Sequence, residues 1–326
     1  IKIEQYATML GRLIEKWPRS PSANQARIWL AAVRKSQQNW PAAIGLLLDV
    51  NAASPLFEKA VADLGYVAAQ FMRQQDVSEE SKANVRSALV VRLHPLVELN
   101  KDGMPENWPQ TRARVVALLM ELNLLFAAEL PTDLLQPFQK LLTDPATPTD
   151  AKMVARALEY VRGGSRMEIE KDEAARTRQL QIIYEGLMPG HDDSDRESRA
   201  KRFVAAATLF AADIGQLPAS DQRLWANARI KSLVWSGQAD AAVQAATELA
   251  NQFPRDAASQ IQLAELLTAS ASSSADGTDK ALSQWRKVAK SSRKGSGSWY
   301  LSKYHVARLL ADMWWSSGTS VTAGNG

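Results

Sequence analysis

The side chains best suited by type and spacing to do chemistry lie toward the C-terminal end of the chain. Between residues 280 and 311 stand Lys280, Arg286, Lys287, Lys290, Arg293, Lys294, Lys303 and Arg308, with no acidic residue among them. Trp285, Trp299, Tyr300 and Tyr304 are interleaved with these cations. One sign of charge set among aromatic rings can hold an anion: nucleic-acid phosphates, the carboxylates of an acidic peptide, or lipid headgroups. Lys287, Lys290 and Lys294 follow i, i+3, i+7 spacing and share a face if a helix continues that far. The competing reading is a wet cationic face whose aromatics fill the space between helices. Trp314 and Trp315 add a second feature. Neighbours on a helix point about 100° apart, so one ring of the two is expected to be exposed and to mark where another protein, or the missing partner helix of this repeat, docks. The partner-binding set expected from the sequence is therefore Arg286, Lys287, Lys290, Arg293, Lys294, Trp299, Lys303, Trp314 and Trp315.

Other chemistry has little to stand on. The three histidines, His94, His191 and His305, are far apart. Only His191, with Asp192, Asp193 and Asp195, approaches a metal-ligand spacing. That stretch lacks the glycine and terminal glutamate of a calcium loop, and it reads instead as a solvated turn that caps the next helix. Gly295-Ser296-Gly297 lacks the lysine of a phosphate-binding loop, and no serine–histidine set can be assembled from neighbouring residues. The absence of cysteine excludes disulfides, thiolate nucleophiles and thiolate metal ligands. The expectation is no catalytic residue, no cofactor and no metal.

Composition sets the class. With 326 residues, 46% hydrophobic and 23% charged, the chain can bury a sizeable core, and its formal charge of +4 is modest for that length. No apolar run approaches the roughly 18 residues that a membrane span needs, so a soluble protein is expected. The chain opens on Ile1-Lys2-Ile3 without a signal-like segment. That reads as a processed or excised piece, with a lean toward an exported or periplasmic protein.

The elements that must position these residues are helices in pairs. Residues 224–235 carry apolar side chains at helical spacing, Ser236-Gly237-Gln238 break the run, and residues 241–253 resume it before Pro254. Small Ala242 and Ala246 lie one turn apart, where they let two helices approach closely. Such a pair cannot bury its apolar face alone and needs like pairs on both sides. The pattern recurs: counting back in twelves from Pro55 gives Ala43 and Ala31, and from Pro254 gives Ala242. Val61, Leu64, Gly65 and Ala68 take the places of a first repeat helix, and Leu263-Ala264 with Ala281 and Trp285 repeat the scheme across residues 271–278. Pro18-Arg19-Ser20 matches Pro254-Arg255-Asp256, and Asn39-Trp40-Pro41 matches Asn107-Trp108-Pro109.

This arrangement resembles the tetratricopeptide-repeat family, on Ala31/Ala43/Pro55, Leu64-Gly65 and Gly237/Ala242/Pro254. The resemblance implies an all-α, right-handed α-solenoid of helix-turn-helix repeats with an irregular helical middle. The expected divisions are N-terminal repeats over 1–100, the middle over 101–216, C-terminal repeats over 217–315 and a disordered tail over 316–326. In the middle, residues 112–130 are apolar on several sides and should form a central, buried helix. It also implies a scaffold or assembly subunit that binds a peptide or a neighbouring subunit. Alternatives are a nucleic-acid or polyanion reader using the 280–308 cations, and a helical accessory region of a larger enzyme. Glu185-Gly186-Leu187-Met188-Pro189 resembles a glycine-leucine-methionine motif of lytic transglycosylases, but that family's glutamate–serine pair is missing upstream. A helix end with glycine and proline accounts for the segment.

Overall fold

The computed structural model describes every residue except 1–2, 75, 100–102, 128, 165–166, 189–194, 272–275 and 323–326, with side chains described as far as Trp315. Among the described residues there are helices and turns and no strand. The chain forms two compact units, 1–186 and 187–326. The division falls inside the stretch read above as the irregular middle.

In the first unit the helices are α1 (Ile3–Lys16), α2 (Pro21–Ser36), α3 (Trp40–Leu48), α4 (Phe57–Met72), α5 (Glu79–Leu93), α6 (Pro95–Glu98), α7 (Trp108–Phe126), α8 (Thr132–Thr143), α9 (Thr149–Arg162) and α10 (Glu173–Leu187). From α1 to α4 each helix packs on the next, and α4 then packs on α7. Helix α7 is the centre of this unit: Val115, Val116, Leu118, Leu119 and Leu122 are all buried, and α4, α5, α6, α8 and α9 surround it. It starts at Trp108 rather than near 112, because Asn107-Trp108-Pro109 places proline in the first turn, where a missing N–H costs nothing. The twin stretch Asn39-Trp40-Pro41 opens α3 the same way, with the Asn39 side chain accepting from the Ala42 N–H at 3.3 Å. Asn107 gives up that cap and donates its amide to Glu58 instead.

The second unit holds α11 (Arg196–Leu209), α12 (Ala211–Ile214), α13 (Ala219–Trp235), α14 (Ala239–Gln252), α15 (Ala257–Ser270), α16 (Gly277–Ser291) and α17 (Gly297–Thr322). From α13 to α17 every helix packs on its successor. Ile230, Leu233, Ala242, Ala246, Leu249 and Leu263 form one buried seam, and Ala264, Ala281, Leu282, Trp285, Val288 and Leu309 form the next. A polar ladder crosses them: Gln260 donates to the Ala250 carbonyl at 2.7 Å, and Gln284 donates to the Gln260 side-chain oxygen at 2.9 Å. Satisfying the buried Gln260 amide in this way avoids the penalty of an unpaired polar group.

The helix pairs on which the sequence repeat is read share a backbone device, found in each unit. After α13, Gly237 takes φ 75°, its N–H bonds the Val234 carbonyl at 3.1 Å, and the Gln238 N–H bonds the Leu233 carbonyl at 2.8 Å. After α2, Gln38 takes φ 57°, its N–H bonds the Lys35 carbonyl at 3.0 Å, and the Asn39 N–H bonds the Arg34 carbonyl at 2.9 Å. Both are Schellman caps, which satisfy the last helical carbonyls and turn the chain sharply. Counting on from each cap, Ala43 and Ala242 fall in the same place, and both are fully buried.

Local chemistry sets several boundaries. Helix α10 begins at Glu173, because the Asp172 side chain accepts from the Ala175 N–H at 2.9 Å and so caps the helix there. No side-chain cap bond forms at the start of α9, where Pro148 is the cap residue. Helices α11 and α12 are separated at buried Phe210, whose backbone (φ −99°, ψ 19°) leaves helical geometry. Helix α17 runs to Thr322, past the expected end at Trp315, since no proline or capping turn stops it there; 323–326 lie outside the described residues. The same applies to 272–275 within the expected insertion.

Candidate interaction surface

Helix α16 has two opposed faces. Ala281, Leu282, Trp285 and Val288 point into the core, whereas Arg286, Lys287 and Lys290 are exposed. Trp285 is 0% exposed; its indole N–H donates to the Thr268 hydroxyl at 2.9 Å, and its ring stacks on His305 with centroids 4.2 Å apart. The aromatics of the 280–311 stretch therefore divide, with Trp285 in the core and Tyr300 and Tyr304 outside. Because α16 ends at Ser291, Lys294 does not continue the Lys287–Lys290 face. It lies with Arg293 in the turn leading to α17, where Gly295 takes φ 84°.

Helix α17 buries Ser302 and Leu309, with His305 and Val306 half-buried beside them. Burial pulls the His305 pKa below its usual value and the Arg308 cation adds to this, while Glu265 opposes it. The outward side carries Tyr300, Tyr304, Ala307, Ala311, Trp314 and Trp315, all exposed. Both Trp314 and Trp315, 69% and 67% exposed, face solvent, although the geometry of neighbouring helical positions required only one of them to do so. Trp299 is half-buried, with the Lys303 ammonium 5.6 Å from its ring and the Tyr300 ring edge-on at 5.1 Å. Those contacts bring Trp299 and Lys303 together on one patch.

The charge excess of this region is smaller than the run of cations implies. Lys280 pairs with Asp276 at 3.2 Å and Arg308 with Asp312 at 3.9 Å, carboxylates just outside the acid-free stretch. Among the described residues, no carboxylate lies within ion-pair distance of Arg286, Lys287, Lys290, Arg293, Lys294 or Lys303.

A second cluster, in the first unit, escaped the sequence reading. Arg73 on the end of α4 grips both oxygens of Glu185 on α10, the Nη2–Oε2 arm at 3.0 Å. Nearby, Arg178 donates to both oxygens of the buried Glu121 carboxylate on α7. Burial raises the Glu185 pKa; the Arg73 hydrogen bonds and charge oppose this, and Glu121 adds to it. Burial also raises the Tyr184 pKa, with the charge of Glu185 behind it. A perturbed carboxyl can serve as an acid or a base, but both Glu185 oxygens are occupied by the Arg73 guanidinium. The arrangement ties α10 to α4 and α7. Gly186 permits the approach: a Cβ there would meet Val161 at 2.4 Å. The glycine in the transglycosylase-like stretch thus serves helix packing. The His191, Asp192 and Asp193 candidates lie outside the described residues.

No protein-family model and no curated protein sequence matches the chain. Fold and surface together define an all-helical protein whose helices pack in consecutive pairs. Among the described residues no helix is long and apolar enough to cross a membrane.

Proposed function

We propose that this chain is a non-catalytic interaction scaffold: a right-handed α-solenoid of tetratricopeptide-like repeats that binds a peptide or a neighbouring subunit. The observation that carries the reading is the stacking of α13 to α17 through small-residue seams, ending in a helix whose outward side is aromatic and exposed. Stacked helix pairs create extended surface without a cofactor, and exposed aromatic patches mark sites of association. The matched caps at Gln38 and Gly237 support the repeat.

The test is cross-linking of the tagged full chain in an extract of its native host. Mass spectrometry identifies the partner, which is then purified and titrated by calorimetry. Saturable binding at fixed stoichiometry supports the reading. A correctly folded chain that recovers nothing beyond an unrelated helical control refutes it.

A further inference from the structure

We infer that the outward side of α17 is a docking notch for an acidic amphipathic helix of a partner protein; this rests on the interaction reading above and names the site and the chemistry of its ligand. From Tyr300 to Trp315 the exposed side spans about 22 Å at helical rise. Its profile is uneven. Tyr300 and Tyr304 stand at one end, Trp314 and Trp315 at the other, and exposed Ala307 and Ala311 lie one turn apart between them. Small residues between large ones form a depression into which the ridge of a crossing helix fits. A bilayer surface favours bulky apolar residues along the whole buried side, and the two alanines interrupt that.

Charge selects the partner. Lys303 and Arg308 flank the aromatic side, Arg293 and Lys294 sit in the turn that leads into α17, and Asp312, paired with Arg308, is the one acid of the 300–315 stretch. A second copy would bring the same cations against these. A ligand with carboxylates beside its apolar stripe is complementary in both respects, and such complementarity sets register and specificity. Nucleic acid fits less well, since the aromatic notch would go unused.

The probe is a fluorescein-labelled helical peptide of about 18 residues, apolar at i, i+3, i+4, i+7 and glutamate-rich elsewhere. Its comparators are the same peptide with lysine for glutamate, a 20-base-pair DNA duplex, and phosphatidylserine vesicles. Anisotropy should show saturable binding of the acidic peptide to the full chain and none of the lysine version. Ala307→Arg and Ala311→Arg, which fill the notch at exposed positions, should each weaken it at least about tenfold, as should Lys303→Glu with Arg308→Glu. Circular dichroism checks that these surface variants fold.

Equal binding of both peptides, or no binding of the acidic one, overturns the inference. So does preference for DNA or vesicles, or a concentration-dependent dimer that Ala311→Arg abolishes. If the full chain and its Ala307→Arg variant capture the same cross-linked partner equally, the notch is wrong and the scaffold reading stands. If no partner is captured at all, both fall.

Discussion

The paired caps make a prediction that can be worked from backbone angles alone. Gln38 and Gly237 occupy the same place in two turns with φ 57° and 75°, in separate units of the chain. Holding an L-residue in the left-handed region costs roughly 1–2 kcal/mol, while glycine carries an entropic penalty of about 0.5–1 kcal/mol on folding. The difference is about 0.5–1 kcal/mol in favour of glycine wherever a cap needs positive φ. Gln38→Gly should therefore stabilise the first unit by that amount, and the exposed glutamine side chain gives up little. Gly237→Ala should destabilise the second unit to a similar degree; a Cβ there meets no atom within 4 Å, so the cost is conformational only. Gln38→Ala keeps the strain and should show no gain. The assay is native-state hydrogen exchange on the slowest amides of α2–α3 and α13–α14, which reports each unit separately, backed by urea melts. Loss of stability in Gln38→Gly, or none in Gly237→Ala, would show that these turns are not the same structural device.

Three further outcomes follow from the first unit. Gly186→Ala gains helix propensity but drives its Cβ into the stiff Val161 side chain, 2.4 Å away, so a net loss of about 1–2 kcal/mol is expected in urea melts. Adding Val161→Ala should recover part of the clash cost, seen as a coupling energy in a double-mutant cycle. Glu121→Gln leaves Arg178 short of its buried counter-charge and should cost about 3 kcal/mol or more; a loss near zero would mean the pair is solvated. Glu185 has a raised folded pKa, caused first by burial and opposed by Arg73. Its folded form therefore holds the proton more tightly than the unfolded chain. The contribution is complete below the ordinary carboxyl pKa and is lost as pH rises through the folded value. The stability of the natural chain minus that of Glu185→Gln should accordingly fall with rising pH across the weakly acidic range. A difference that rises with pH instead would mean that Arg73 outweighs burial.

What could be read from the sequence, and what could not, divides along a physical line. Glycine at 237 announces its turn, because only glycine takes positive φ without strain. The turn at 38 carries no such mark; the spacing Ala31/Ala43/Pro55, which matches Ala242/Pro254, implies a helix pair there without placing its turn. Apolar periodicity marks the α13–α14 pair and picks out α7 as central, since burial on several sides is written in composition. Helix ends were less legible: Asp172 caps α10 through one side-chain bond that many aspartates could have made. The cations of α16 were visible as a run, yet their division into a face and a turn depends on α16 stopping at Ser291. Least legible was the Arg73, Glu121, Arg178 and Glu185 cluster, whose pairs join helices 112 and 57 positions apart in the chain. None of these residues carries a mark of its partner in the sequence, and only packing reveals that water has been removed from around it. A charge on a helix is thus neutral information until its neighbours are known. The α17 aromatics are the opposite case, for large apolar side chains left in water carry a free-energy cost that covering them would relieve.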